Sequence, residues 1–160
     1  MYDPTSEQAL RERHFVEELG HMFADLGAVP MMGRVMGRLL ICDPPEQSLT
    51  ELSEYLGASK GSISTTARQM LAAGMIQKVP RPGDRAHYYR ISDDAFSVVS
   101  KARLAHTTLI REKAEQGLAL ISDKPDHVRA RLQHMVDFYR FFEHEMPRLL
   151  ARWQASREDR

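Results

Sequence analysis

From Ser59 to Gly74 the chain reads SKGSISTTARQMLAAG, with no aspartate or glutamate, in a sequence that holds 22 acids. Placed on a helix at about 100° per residue, Ile63, Ala67, Met70 and Leu71 gather on one side. Gly61, Ser62, Thr65, Arg68, Gln69 and Ala72 take the opposite side, with Ser64 and Thr66 on the flanks. Hydroxyls, an amide and a guanidinium with no competing carboxylate are suited to base edges and phosphates. Gly61 allows a second backbone to come close. The amides and positive dipole end of a helix N-terminus suit a phosphate. Arg68 and Gln69 are placed to reach bases in a major groove. The alternative is a solvated face, but other exposed stretches of this chain carry acids, such as Glu112 and Glu115.

A second group follows at Pro80-Arg81-Pro82-Gly83-Asp84-Arg85. This is dense turn chemistry, with Arg81 and Arg85 on either side of the tip. Arginines on a projecting loop can clamp a phosphate backbone or enter a minor groove. Asp84 is expected to hold Arg85 by an ion pair. The whole chain is neutral, with 22 cations against 22 anions. Between Ser48 and Ile91, however, six cations face three anions, an excess of +3. Basic charge therefore collects where phosphate neutralisation would need it.

These groups need a scaffold. Thr50 is read as the cap of a short helix, Glu51 to Leu56, with Leu52, Tyr55 and Leu56 inward. Gly57 supplies a turn, Ser59 caps a helix from Lys60 to Ala73, and Gly74 closes it. Met75 to Val79 and His87 to Ile91 read as two strands of a hairpin. Upstream, residues 6 to 26 carry a helical stripe of Phe15, Leu19, Met22, Phe23 and Leu26. Pro30 opens a second helix to about Cys42, in which Gly33 and Gly37 suggest close soluble packing. Downstream, a helix runs from Ser92 or Asp93 to about Ile121. Its expected buried side is Phe96, Val99, Ala102, Ile110, Ala114, Gly117 and Ile121. A last helix starts near Asp126, with Pro147 expected to kink or split it near Glu145.

The expected fold is mainly α with a small β-hairpin wing: a winged helix-turn-helix flanked by N- and C-terminal dimerisation helices. Residues 1–42 would be supporting and dimerising helices, 43–92 the winged region, and 93–160 long dimerising helices with a possible effector pocket. In the last helix, packing in the core or against a partner copy explains Phe138, Phe142 and Trp153. Adjacent Phe141 and Phe142 favour a second buried surface, either a dimer partner or a ligand pocket.

Composition narrows the function classes. With 160 residues, 42% apolar and 28% charged, the chain can bury a core. One cysteine, Cys42, excludes an intramolecular disulfide. No stretch approaches the roughly 20 apolar residues of a membrane span. The first twenty residues lack an apolar run of signal-peptide length, so a cytoplasmic protein is expected. No glycine-rich phosphate loop, GxSxG elbow or HExxH occurs, and neither an enzyme, a cofactor nor a bound metal is expected. His127 and His134 share a helix face that His144 leaves, and surface histidines fit this better than a metal sensor. Cys42, one turn after Arg38, reads more readily as a small apolar residue than as an oxidant sensor.

The run SLTELSEYLGASKGSISTTARQMLAAGMIQKV followed by RPGDRAHYYRIS resembles the winged-helix core of the MarR family of bacterial repressors. The preceding PMMGRVMGRLLICDPPEQSLTEL and the SKGSIS start are similar to its GbsR-like branch. The resemblance implies double-stranded DNA as partner, in the form of a pseudo-palindromic operator, and a homodimer built by the terminal helices. It implies recognition-helix contacts from Ser59, Lys60, Gly61, Ser62, Ser64, Thr65 and Arg68, to which the helical wheel adds Gln69. It implies wing contacts from Arg81 and Arg85, although Pro80 and Pro82 stiffen this wing more than is usual in the family. The expected dimer residues are Phe15, Leu19, Leu132, Met135, Phe138, Phe142, Leu149 and Trp153. A repressor relieved by a small apolar or cationic effector follows from the same resemblance, quaternary amines being ligands associated with the branch. A winged-helix protein–protein adaptor and a metal- or redox-gated sensor of the same fold are the alternatives.

Overall fold

A computed structural model describes residues 6–84 and 86–158. Helix α1 spans Glu7–Asp25, and Ser6 caps it, its Oγ accepting from Ala9 N at 3.2 Å. The chain leaves through a left-handed Gly27 (φ 75°), where Ala28 N donates to Phe23 O and Gly27 N to Ala24 O. Those two bonds satisfy carbonyls that the helix end would otherwise leave open. Pro30 then starts α2, Pro30–Ile41.

The glycines of α2 explain how it meets α1. A Cβ on Gly33 would lie 2.3 Å from Leu19 O, and one on Gly37 would lie 3.2 Å from Val16 Cα. The two helices therefore touch backbone to backbone, with Val16 and Val35 fully buried. Phe15, Met22 and Leu26 of the sequence stripe remain exposed, and Leu19 and Phe23 are half-buried.

Strand β1, Gln47–Ser48, runs into α3, Leu49–Leu56. The cap of α3 is Ser48 and not Thr50. Ser48 Oγ accepts from Glu51 N at 3.2 Å, and Glu51 Oε2 accepts from Ser48 N at 2.6 Å. This reciprocal pair satisfies two amides at once, which Thr50 could not do. After Gly57 (φ 60°), α4 spans Lys60–Ala72, and strands β2, Ile76–Val79, and β3, Tyr88–Ile91, follow. The sheet has the order β1-β3-β2 and is antiparallel, with Ser48 opposite Tyr88 and Ile76 opposite Ile91. The expected two-stranded hairpin thus gains a third, two-residue strand. The sheet packs on α2 and α4, over a core of Leu52, Leu56, Ile63, Met70 and Ile76.

The described residues fall into two compact units, one ending at Ala95 and the other beginning at Phe96. The second holds all but the first residue of α5, Ala95–Leu120, and α6, Asp126–Glu158. Arg111 bonds Glu143 at 2.9 Å and Glu115 at 2.7 Å, and Arg140 bonds Glu115 at 2.8 Å. With Gly117 against Leu132, these pairs fix the two helices as antiparallel. Hydrogen bonds from Arg140 and then Arg111 hold the Glu115 carboxyl below the usual glutamate range.

Of the two outcomes expected at Pro147, the split does not occur: α6 runs through it, and Pro147 lies inside the helix as an exposed residue. A proline removes one ladder bond, and at a solvent-facing position water can take the freed carbonyl. The expected buried side of α5 is only partly buried. On α5, Ala114 is buried and Gly117, Val99 and Ile121 are half-buried, but Phe96, Ala102 and Ile110 are exposed. One partner helix covers only part of a face that reads as apolar along its whole length.

Candidate nucleic-acid interface

Helix α4 is held from behind. Leu52 and Leu56 of α3 and Ile63, Ala67 and Met70 of α4 are all buried. In the turn, Ser53 Oγ donates to Ala58 O at 2.6 Å, and Ser59 Oγ accepts from Ser62 N at 3.2 Å. Arg34, an α2 residue, donates to Leu56 O at 2.8 Å and to Glu17 Oε1 at 2.7 Å, which pins the end of α3 to α1 and α2. Orphan carbonyls at a helix end are thereby satisfied by a charged donor.

With its inner face fixed, α4 presents a defined outer face. Ser59, Lys60, Gly61, Ser62, Thr65, Arg68 and Gln69 are exposed, and Ser64 is half-buried. Arg68 Nη2 donates to Thr65 Oγ1 at 3.2 Å, so guanidinium and hydroxyl form one polar ridge along the helix. Thr66, read as a flank position, is instead buried at 4% exposure. A Cβ added at Gly61 would meet only Ser59 Oγ, at 3.9 Å, so nothing in the fold demands glycine there.

The loop between β2 and β3 turns at Gly83 (φ 82°), and Asp84 N donates to Arg81 O at 3.1 Å. Asp84, expected to pair with Arg85, holds the loop through two other bonds. Its Oδ1 accepts from Ala86 N at 2.8 Å and its Oδ2 from the Tyr88 hydroxyl at 2.7 Å. That hydroxyl is held protonated beyond the usual tyrosine range, chiefly by the bond to Asp84. Arg81 is half-buried, its guanidinium 4.1 Å from the centre of the Tyr88 ring. Arg85 lies outside the described residues. Tyr88 was legible only as a strand residue, since nothing in local composition ties it to a cation seven positions earlier.

The expected dimer residues are placed as follows. Phe15, Met135, Phe138, Leu149 and Trp153 are exposed, at 37–55%, while Leu19, Leu132 and Phe142 are half-buried. Leu132 packs on Gly117. Phe138 meets Tyr139 edge-on at 5.2 Å and stacks on Phe142 at 6.4 Å, forming an aromatic ridge on α6. Cys42 is buried, and burial raises its thiol pKa against the opposing pull of Arg38. A thiol so placed is a poor nucleophile, which counts against oxidant sensing. Among the described residues no three histidine, cysteine or acidic side chains converge as a metal site, and no helix is long and apolar enough to cross a membrane.

Comparison with known proteins agrees with this arrangement. A family model described as the MarR family matches residues 39–87, and one described as MmpR5-like MarR family transcriptional regulator matches residues 94–157. The HTH-type transcriptional regulator MmpR5 of Mycobacterium tuberculosis is 35% identical over 146 residues, covering 91% of this chain and 88% of that protein. The HTH-type transcriptional repressor OpcR of Bacillus subtilis is 26% identical over 146 residues, covering 82% and 78%. A crystal structure of a transcriptional regulator matches with TM-score 0.73 at 33% identity, over 91% of this chain and 99% of that one. With a winged helix-turn-helix, an acid-free outer helix face and a relative of this closeness over nearly its whole length, the chain belongs to the MarR family and is a DNA-binding transcriptional regulator, not an enzyme.

Proposed function

We propose that the protein is a cytoplasmic, homodimeric repressor that occupies a pseudo-palindromic operator and leaves it when a small apolar or cationic effector binds. The observation that carries this reading is the exposed, acid-free face of α4 on a buried three-helix support. Ser59, Lys60, Gly61, Ser62, Ser64 and Thr65 would meet phosphates and base edges, and Arg68 and Gln69 would read bases in the major groove. Arg81 and Arg85 would contact the backbone or minor groove beside it. Exposed Phe15 on α1 and Met135, Phe138, Leu149 and Trp153 on α6, joined by Leu19, Leu132 and Phe142, would pair with a second copy. The exposed apolar residues on α6, with Phe138 stacked on Phe142, are of the kind that marks an interaction face. Residues 30–52 and the SKGSIS start support placement in the GbsR-like branch.

An effector would act by favouring a spacing of the two winged regions that no longer matches the operator. Mapping protected bases on the DNA upstream of the protein's own gene tests the reading. Two protected patches about one helical turn apart are expected. Protection that is uniform along random duplex and vanishes with salt at the same rate everywhere would contradict it.

A further inference from the structure

The wing arginine is mounted, not merely exposed. The Arg81 guanidinium lies 4.1 Å from the centre of the Tyr88 ring. Tyr88 is 7% exposed and sits in the middle strand, with Ser48 on one side and Val79 on the other. Its hydroxyl donates to Asp84 Oδ2 at 2.7 Å, and Asp84 Oδ1 takes Ala86 N at 2.8 Å. The ring is therefore fixed at its base by the sheet and at its tip by the loop. A guanidinium over an aromatic face is held by the ring, and by a bond to the Tyr88 hydroxyl, while its remaining N–H groups can still donate to a phosphate.

We infer that Tyr88 and Asp84 are positioning residues for DNA binding, holding Arg81 over the Tyr88 ring in the place from which it meets the duplex. The inference rests on the proposed role of Arg81 as a wing contact. It assigns Asp84, an acid next to a phosphate surface, a favourable role through geometry, where its charge alone would oppose binding. Without the ring, Arg81 would sample several rotamers before each contact and lose that freedom on binding.

The test measures operator affinity against salt for Asp84→Ala and Tyr88→Leu, each in the wild-type and the Arg81→Ala background. Arg81→Ala alone is expected to flatten the plot of log affinity against log salt by about one, the value for one phosphate contact. Asp84→Ala, exposed and outside the core, should fold normally and weaken binding several-fold with the same flattening. In the Arg81→Ala background it should have no further effect, and Tyr88→Leu should behave alike. Tighter binding by Asp84→Ala, as simple charge removal would give, overturns the inference. So does weakening that persists in the Arg81→Ala background, which would place the effect elsewhere in the wing. If Tyr88→Leu does not fold, the Asp84→Ala arm decides alone. An unchanged slope for Arg81→Ala with operator preference intact sinks this inference and leaves the DNA reading standing. A wild type with no operator preference sinks both.

Discussion

Gly61 offers a clean separation between what the fold needs and what the duplex needs. It occupies the second position of α4, and a Cβ there meets nothing nearer than Ser59 Oγ at 3.9 Å. Its φ is not positive, so alanine fits without strain. Glycine within a helix costs roughly 0.5–1 kcal/mol relative to alanine. Gly61→Ala should therefore raise stability by up to that amount, a gain of about 1–4 °C in melting temperature for a chain of this size. Its effect on DNA should have the opposite sign. If the first turn of α4 lies against a phosphate, a methyl group there displaces one charge-assisted amide contact, worth about 1.5–3 kcal/mol. Affinity should then fall roughly tenfold to a hundredfold. Thermal melting and fluorescence anisotropy on an operator duplex at fixed salt measure the two effects. Equal or tighter binding would refute close backbone approach, and a lowered melting temperature would show that the fold itself needs this glycine.

Gly33→Ala should do the reverse of Gly61→Ala. Its Cβ would press on Leu19 O at 2.3 Å, so α1 and α2 must separate, at a cost of about 1–3 kcal/mol seen in chemical denaturation. Arg68→Ala should cost about 1–3 kcal/mol and relax preference at one operator position, measured by selection from random duplexes; uniform weakening would make Arg68 a phosphate contact. Phe138→Glu, at a 55% exposed position, should leave helicity unchanged and yield monomers in sedimentation; a stable dimer would place the seam elsewhere. Glu115 titrates below its ordinary value of 4.5 in the folded chain, so its contribution is present above that pH and is lost as pH falls through the lowered value. Melting followed from pH 6 downward should show this loss in the wild type and a shallower decline in Glu115→Gln.

Helix α4 was readable because three signals coincide there: Ser59 as cap, Gly74 as stop, and a period of 3.6 that separates Ile63, Ala67 and Met70 from Thr65 and Arg68. The glycines of α2 were readable for the same local reason. Strand β1 was not, since two residues carry no periodicity and Gln47–Ser48 becomes a strand only by pairing with Tyr88 and Tyr89. At the start of α3, Ser48 and Thr50 both have cap chemistry, and the Glu51 bond back to Ser48 N, visible only in the structure, decides for Ser48. The link from Arg81 through Tyr88 to Asp84 is tertiary: it exists because the hairpin folds strand onto loop, and no spacing rule encodes it. On α5 and α6 apolar residues exceed what one helix pair can bury, so pattern alone could not say which of them face each other.

If the outer face of α4 contacts DNA, a charge reversal on that face should abolish binding and leave the fold intact. Arg68→Glu places an acid on an exposed ridge whose buried side is untouched, so melting temperature and circular dichroism should match the wild type. Binding to the protein's own upstream DNA should then be lost at salt concentrations where the wild type still holds it. Retained, sequence-selective binding by a folded Arg68→Glu protein would remove the outer face of α4 from the DNA interface.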